Sequence, residues 1–196
     1  MKIALVEFLA NSLLYSPMQF KTKLLFFDTI SSTHEYAKLH ADKFDPKELT
    51  CIRAYIQTAG VGQLERSWIS LPGNLLISYV VKVAHQPYPD AANFLSLCLY
   101  KVISSKDRSI FFKEPNDLYF ENKKFAGVLC HQSGDRLILS FGINTDLAPT
   151  EFGTLHLDSE ELFMAIDLFL SEQIPLYLSQ GFSFFDKEWK GVSRLS

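Results

Sequence analysis

The sequence predicts an α+β fold: a mixed, largely antiparallel sheet with helices packed on one face. Three observations lead there. Strand-like and helix-like segments are interleaved along the first hundred residues. From residue 109 short apolar runs follow one another with tight turn signals between them, the pattern of an antiparallel meander. And of 196 residues 47% are hydrophobic and 21% charged, a composition that supplies one sizeable core.

The elements follow in order. "MKIALVEFLANSLLYS" reads as a strand or short helix. Glu7 and Asn11 interrupt its apolar run, so it is neither a clean secretion signal nor a membrane span. "KLLFFDTI" (23–30) reads as a strand, and "SSTHEYAKLHADKF" as a helix with Tyr36, Ala37 and Leu39 on its apolar side. Ser32 is its N-cap, and Glu35 completes a capping box. "TCIRAYIQTAG" (50–60) is a strand ending at Gly60. Pro72-Gly73-Asn74 is a turn leading into the strand of "LLISYVVKV". In 89–105 Phe94, Leu97, Cys98, Lys101 and Val102 recur at helical spacing, with Asp90 as the cap. The strands "SIFFK", "LYF", "FAGVLCHQ" and "RLILSFGIN" come next, separated by the turns "EPND", "ENKK" and "SGD". "DSEELFMAIDLFLSEQ" is a capped helix that Pro175 kinks or ends, and "LYLSQGFSFFDKEWKG" forms another. No internal repeat or linker stands out.

Charge and cysteine usage narrow the function classes. With 19 basic and 22 acidic residues the net charge is -3, which argues against a broad nucleic-acid surface. Cys51, Cys98 and Cys130 are far apart and lack metal-ligand spacing, so they read as buried free thiols of a reducing cytoplasm. His34, His40, His85, His131 and His156 are scattered and form no metal set.

Four stretches combine polar residues with turns after strands: "SSTHE", "QTAGVGQLERSW", "KEPNDLYFENKKFAG" and "GIN". Singly, each is explained by a helix cap or a surface turn. Jointly, in this order and at these intervals, they resemble the catalytic domain of biotin protein ligases, over about Phe26 to Trp189. That family shows S-T-N at a helix start, then Q-T-A-G-R-G-R-x-G-R-x-W, K-W-P-N-D, a K-x-A-G strand and a G-I-N turn.

The resemblance implies an ATP-dependent, AMP-forming ligase with Mg²⁺ accompanying ATP. Biotin and ATP would give biotinyl-5′-AMP, and biotin would pass to a lysine of a biotin carboxyl carrier protein, the acetyl-CoA carboxylase subunit. Two anions must approach and a charged leaving group must be stabilised, which requires placed cations. By position, Lys124 would bridge biotin carboxylate and α-phosphate, with Arg66 as the other catalytic cation. Ser32, Thr33, His34 and Gln57 would meet the ureido ring and chain. Gly60, Val61, Gly62 and Gln63 would close over biotin, and Gly127 would permit close ligand approach. Arg66, Trp68, Lys113, Asn116 and Asn144 would serve the nucleotide, with the metal near Asn144 but held by no protein site alone. Asp117 would hold its turn.

The departures concern charge. Val61, Gln63 and Leu64 stand where the family loop carries most of its arginines. Glu65 replaces a glycine, Glu114 the tryptophan of K-W-P-N-D, and His34 the asparagine of S-T-N. Gln63 donates a hydrogen bond but neutralises no charge, so weak retention of the adenylate is expected. Residues 1–196 read as a single catalytic domain without the DNA-binding domain that many relatives carry at the N-terminus, and with the C-terminal β-barrel absent or vestigial. A cytoplasmic monomer or homodimer is expected, with neither nucleic acid nor membrane as a partner. Two other readings are a non-catalytic biotin- or carrier-binding module on the same fold, and a lipoate or octanoate ligase. The latter ranks lower because the R-R-x-S-G-G-G type of loop is missing.

Overall fold

The computed structural model describes residues 19–105, 110–113 and 117–193. The reading of residues 1–16 and the positions Glu114 and Asn116 lie outside them. The order is β1 (Thr22–Ile30), α1 (Thr33–His40), β2 (Leu49–Gln57), β3 (Leu75–Lys82), α2 (Ala91–Ser104), β4 (Ile110–Lys113), β5 (Asp117–Phe120), β6 (Lys123–Ser133), β7 (Arg136–Ile143), α3 (Ser159–Gln180) and α4 (Asp186–Ser193). The seven strands form one sheet in the order β1-β2-β3-β7-β6-β5-β4. Only β1 and β2 run parallel, because α1 carries the chain back between them.

The α+β class and the mixed, largely antiparallel sheet are as the sequence predicts. The large helices α2 and α3 cover one face, packed on Cys51, Ile77, Tyr79, Leu137 and Leu139. The short α1 is an addition on the opposite face, where Ala37 and Ala41 meet Ile52, Val80 and Ile138. Two alanines let the helix sit close to the sheet. Leu39, read as part of its apolar side, is exposed. The ring of Tyr36 packs on Phe27, 4.9 Å between centroids. Beyond the N-terminus of α1 no described helix covers this face of the sheet, and there the cavity forms.

Other local readings differ as well: "LYLSQ" belongs to α3 rather than to a separate helix, and α4 starts only at Asp186. Pro175 neither ends nor breaks α3, which runs on to Gln180. Proline withdraws the donor that the Ser171 carbonyl would otherwise receive. Here Phe20 N–H, entering β1, donates to that carbonyl at 3.1 Å. The helix stops instead at Gly181, with φ 74. It is long and apolar enough to cross a membrane by length and composition, yet most of it is buried as the core helix of this domain. Asp90 occupies the N-cap position of α2 without a side-chain bond, its backbone (φ -90, ψ 9) being far from extended. At α1 only half of the capping box forms: Glu35 N–H donates to Ser32 Oγ at 3.4 Å, while the Glu35 carboxylate turns to Lys38.

The hairpin between β5 and β6 bears on the cavity. The turn read as "ENKK" is Glu121-Asn122 alone, both at positive φ (49 and 62), as a two-residue hairpin turn requires. Lys123 and Lys124 therefore belong to β6. Pairing with β5 then shifts register, Leu118 opposing Ala126 and Tyr119 opposing Lys124. Phe125 is the extra residue of a bulge. Phe125 and Ala126 both enter the core, and Lys124 and Gly127, three apart, both face the cavity.

Burial keeps the cysteines protonated: it pushes the thiols of Cys51 and Cys130 up to about 12 and raises that of Cys98. That makes all three poor nucleophiles.

Candidate active site

The cavity, about 640 Å³, lies between the N-terminus of α1, the end of β2, the loop after β2, and strands β6 and β7. It brings together Ser32, Thr33, His34, Gln57, Val61, Gly62, Gln63, Arg66, Trp68, Lys124, Gly127 and Asn144. Gly60 and Lys113 are not on its wall, and Asn116 is outside the described residues.

The loop after β2 is a closed hairpin. Gly62 N–H donates to the Arg66 carbonyl at 2.7 Å, Trp68 N–H to the Gly60 carbonyl at 2.9 Å, and Val61 bridges to Ser67. A Cβ on Gly60 would lie 2.6 Å from the Trp68 carbonyl oxygen. Gly60, expected to close over a ligand, therefore acts by letting the hairpin fold. Leu64 takes φ 53 at the tip and is exposed, as is Arg66.

The Trp68 ring lies flat on the backbone of Gly142, a seat that the sequence reading missed. Its atom Cζ2 would be 2.6 Å from a Cβ placed there. The G of "FGIN" thus has a packing reason: only a residue without a side chain admits the indole. Gly142→Ala is expected to displace the indole and lower stability by about 1–3 kcal/mol. Thermal unfolding would show this, with loss of the native tryptophan fluorescence. An unchanged midpoint with unchanged fluorescence would contradict the packing.

Lys124 stands opposite. Its Nζ is 2.7 Å from Asp117 Oδ1 and 5.8 Å from the Trp68 ring centroid. Asp117, assigned above to its turn, instead holds this ammonium in place. A Cβ on Gly127 would lie 3.2 Å from Lys124 Cε and Nζ, so the space at Gly127 belongs first to this lysine rather than to a ligand. Lys113 Nζ lies 5.3 Å from the Tyr119 ring centroid.

The floor is polar and buried. Thr33 N–H and Oγ1 both approach Gln57 Oε1, at 2.7 and 3.0 Å. Ser78 and Ser140, which the sequence reading also missed, continue the network to His34. The signal was a lone serine in each of two largely apolar strand runs, "LLISYVV" and "RLILSFG". Burial pushes the His34 imidazole down from 6.5 to about 4, outweighing the attraction of Glu35. Above pH 6.5 neither folded nor unfolded chain charges this group. Between 6.5 and 4 the unfolded chain takes up a proton that the folded one refuses, so stability falls as pH falls through that window. Urea unfolding of wild type and His34→Asn should show curves that differ in slope there, by up to about 3 kcal/mol in all. Parallel curves would contradict a neutral, buried His34.

Asn144 is 3% exposed, and its side chain is used within the protein. Oδ1 accepts from Asn74 Nδ2 and Nδ2 donates to the Gly153 carbonyl, both at 3.2 Å. Among the described residues no three His, Cys, Asp or Glu side chains converge. With Asp117 paired to Lys124 as well, these donors do not make a resident magnesium site.

The cavity thus sets the Lys124 amine, paired with Asp117, beside a polar floor and under a glycine hairpin. A family model described as the biotin/lipoate A/B protein ligase family matches residues 26–146, and the chain belongs to that family. It is 29% identical over 182 residues to the bifunctional ligase/repressor BirA of Escherichia coli, covering 77% of this chain and 56% of that protein. With BirA of Bacillus subtilis it shares 28% over 138 residues, 66% of this chain and 42% of the relative. The chain thus spans about half the length of these curated relatives. Among solved structures it resembles the biotin protein ligase of Aquifex aeolicus in complex with biotin and ATP. The TM-score is 0.74 at 26% identity, over 85% of this chain and 76% of that one.

Proposed function

We propose that the chain is a single catalytic domain acting as a biotin protein ligase. The observation that carries this is Lys124: a strand-held ammonium, fixed by Asp117, on the cavity that Ser32, Thr33 and Gln57 floor. In the first step a biotin carboxylate oxygen attacks the α-phosphorus of ATP and pyrophosphate leaves. Lys124 draws the two anions together, and the exposed Arg66 meets the phosphates at the cavity mouth. Mg²⁺ comes with ATP as part of that substrate. In the second step a lysine amine of a biotin carboxyl carrier domain attacks the acyl carbon, an amide bond forms and AMP leaves with the bond electrons. Trp68, seated on Gly142, supports the nucleotide side. The setting is cytoplasmic.

Biotin-dependent exchange of labelled pyrophosphate into ATP tests the first step directly. Exchange that requires biotin supports the reading; exchange at background level with folded protein counts against it. One observation favours a second reading, a biotin-binding module without turnover: within residues 59–68 the only cation is Arg66, and it is exposed. Calorimetry separates the two, since a ligase binds biotin more tightly with a non-hydrolysable ATP analogue and a simple binder does not.

A further inference from the structure

A second recess, of about 320 Å³, lies between the loop 86–90 that precedes α2 and the C-terminal turn of α3. The loop is fixed from β6. Tyr88 N–H donates to Gln132 Oε1 at 3.2 Å, and Gln132 Nε2 donates to the Gln86 carbonyl at 2.9 Å. Lys124 and Gln132 are at opposite ends of β6, roughly 25 Å apart along the strand. The recess is therefore no part of the site described above, and it shares none of that site's lining residues.

Three kinds of unpaired acceptor line it. The Asp90 carboxylate makes no capping bond to α2 and no ion pair among the described residues. The carbonyls of Leu178, Ser179 and Gln180, left over at the end of α3, receive no hydrogen bond among the described residues. The last turn of that helix also has no basic side chain to offset their partial negative charge. Tyr177 is 2% exposed, with its ring stacked on Phe94 at 4.2 Å, yet its hydroxyl has no hydrogen-bond partner among the described residues. Burial, and then the charge of Asp90, raise this phenol above its ordinary range, so it stays neutral. Buried polar groups are almost always paired, so this one lacks a partner that the described chain does not supply. No Lys, Arg or His lines the recess.

We propose that this recess binds a primary ammonium group carried on an alkyl stem. An ammonium has three N–H donors and no acceptor, the complement of a carboxylate, a phenol oxygen and a helix-end carbonyl. The rings of Tyr88 and Phe182, with Pro87, give the methylene stem apolar walls, and an aromatic ring also attracts the cation. A quaternary ammonium carries the charge without an N–H, and an alcohol carries one O–H without the charge, so neither satisfies all three acceptors. Two sources present the favoured group: a free alkylamine and the lysine side chain of a polypeptide. The proposal is independent of the biotin reading.

The test is a titration of the full chain with n-butylammonium chloride, followed by amide proton–nitrogen correlation spectra. Saturable shifts are expected, confined to residues 86–90 and 177–182, with a Kd of about 1 mM for so small a probe. Tetramethylammonium chloride and 1-butanol should each bind at least about tenfold more weakly. Asp90→Asn removes the charge and keeps a residue suited to the N-cap, and it should weaken butylammonium about tenfold. Tyr177→Phe keeps the stack on Phe94 and should weaken it about fivefold. Spectra of both variants should match wild type outside the recess, which separates lost binding from lost fold. No saturable shift in wild type overturns the site. Equal binding of 1-butanol, or an unchanged Kd in both variants, overturns the ammonium assignment. Nα-acetyl-lysine methylamide distinguishes the sources. Binding as tight as butylammonium supports a lysine side chain, and butylammonium binding alone supports a free alkylamine.

Discussion

Lys124→Ala is expected to lower the rate of biotin-dependent pyrophosphate exchange by about 10²- to 10³-fold, the effect of removing one preorganised charge from a reaction that joins two anions. Biotin affinity without ATP should change far less, because Ser32, Thr33 and Gln57, the groups proposed to floor the biotin site, lie on other elements. The position leaves little room for compensation. Lys124 sits in a strand at a bulge, its amine 2.7 Å from Asp117 and under the Trp68 ring. Arg66, on the hairpin loop, is exposed and held by no ion pair among those described, and Lys123 on the cavity rim donates to the Thr150 carbonyl. Asp117→Asn keeps the shape and removes the charge, so the amine loses its anchor. A smaller loss, about tenfold, is expected, and mainly in the maximal rate. Exchange in Lys124→Ala within a few-fold of wild type would remove this residue from the mechanism.

The second large effect concerns release of the intermediate. Gln63 is at the tip of the hairpin and lines the cavity. An amide there gives the adenylate a neutral hydrogen bond at most. Gln63→Arg adds a charge-assisted contact to phosphate, of about 1.5–3 kcal/mol, and should slow adenylate release by about tenfold to a hundredfold. Stopped-flow fluorescence of Trp68, or trapping of released adenylate, would measure it. Wild type should accordingly label exposed lysines of bystander proteins more than the arginine variant does. Equal release rates in both would show that the missing charge at position 63 does not set retention.

What the sequence made legible follows a physical line. Local rules placed Ser32 at the start of α1 and the turn at Gly134-Asp135, because caps and turns are decided within four residues. The cavity residues were legible only as a joint pattern, since no single one of them exceeds the ordinary surface turn in information. Contacts between distant segments stayed hidden. Pro175 looked like a helix stop because the donor that repairs its break, Phe20 N–H, lies over 150 residues away. Ser78 and Ser140 meet only when β3 pairs with β7. The bulge at Phe125 interrupts alternation in "KFAG", and without it Lys124 and Gly127 would face opposite sides of the sheet. Asp117 was read from its turn, whereas its function is set by that same bulge.

The cavity is expected to couple biotin to ATP for transfer to a carrier. The direct measurement is intact mass spectrometry of a biotin carboxyl carrier domain after incubation with the purified protein, biotin and Mg·ATP. The expected result is a gain of one biotinyl group on a single carrier lysine, dependent on ATP and lost in Lys124→Ala. An unmodified carrier at high enzyme concentration, with no AMP released, would contradict it.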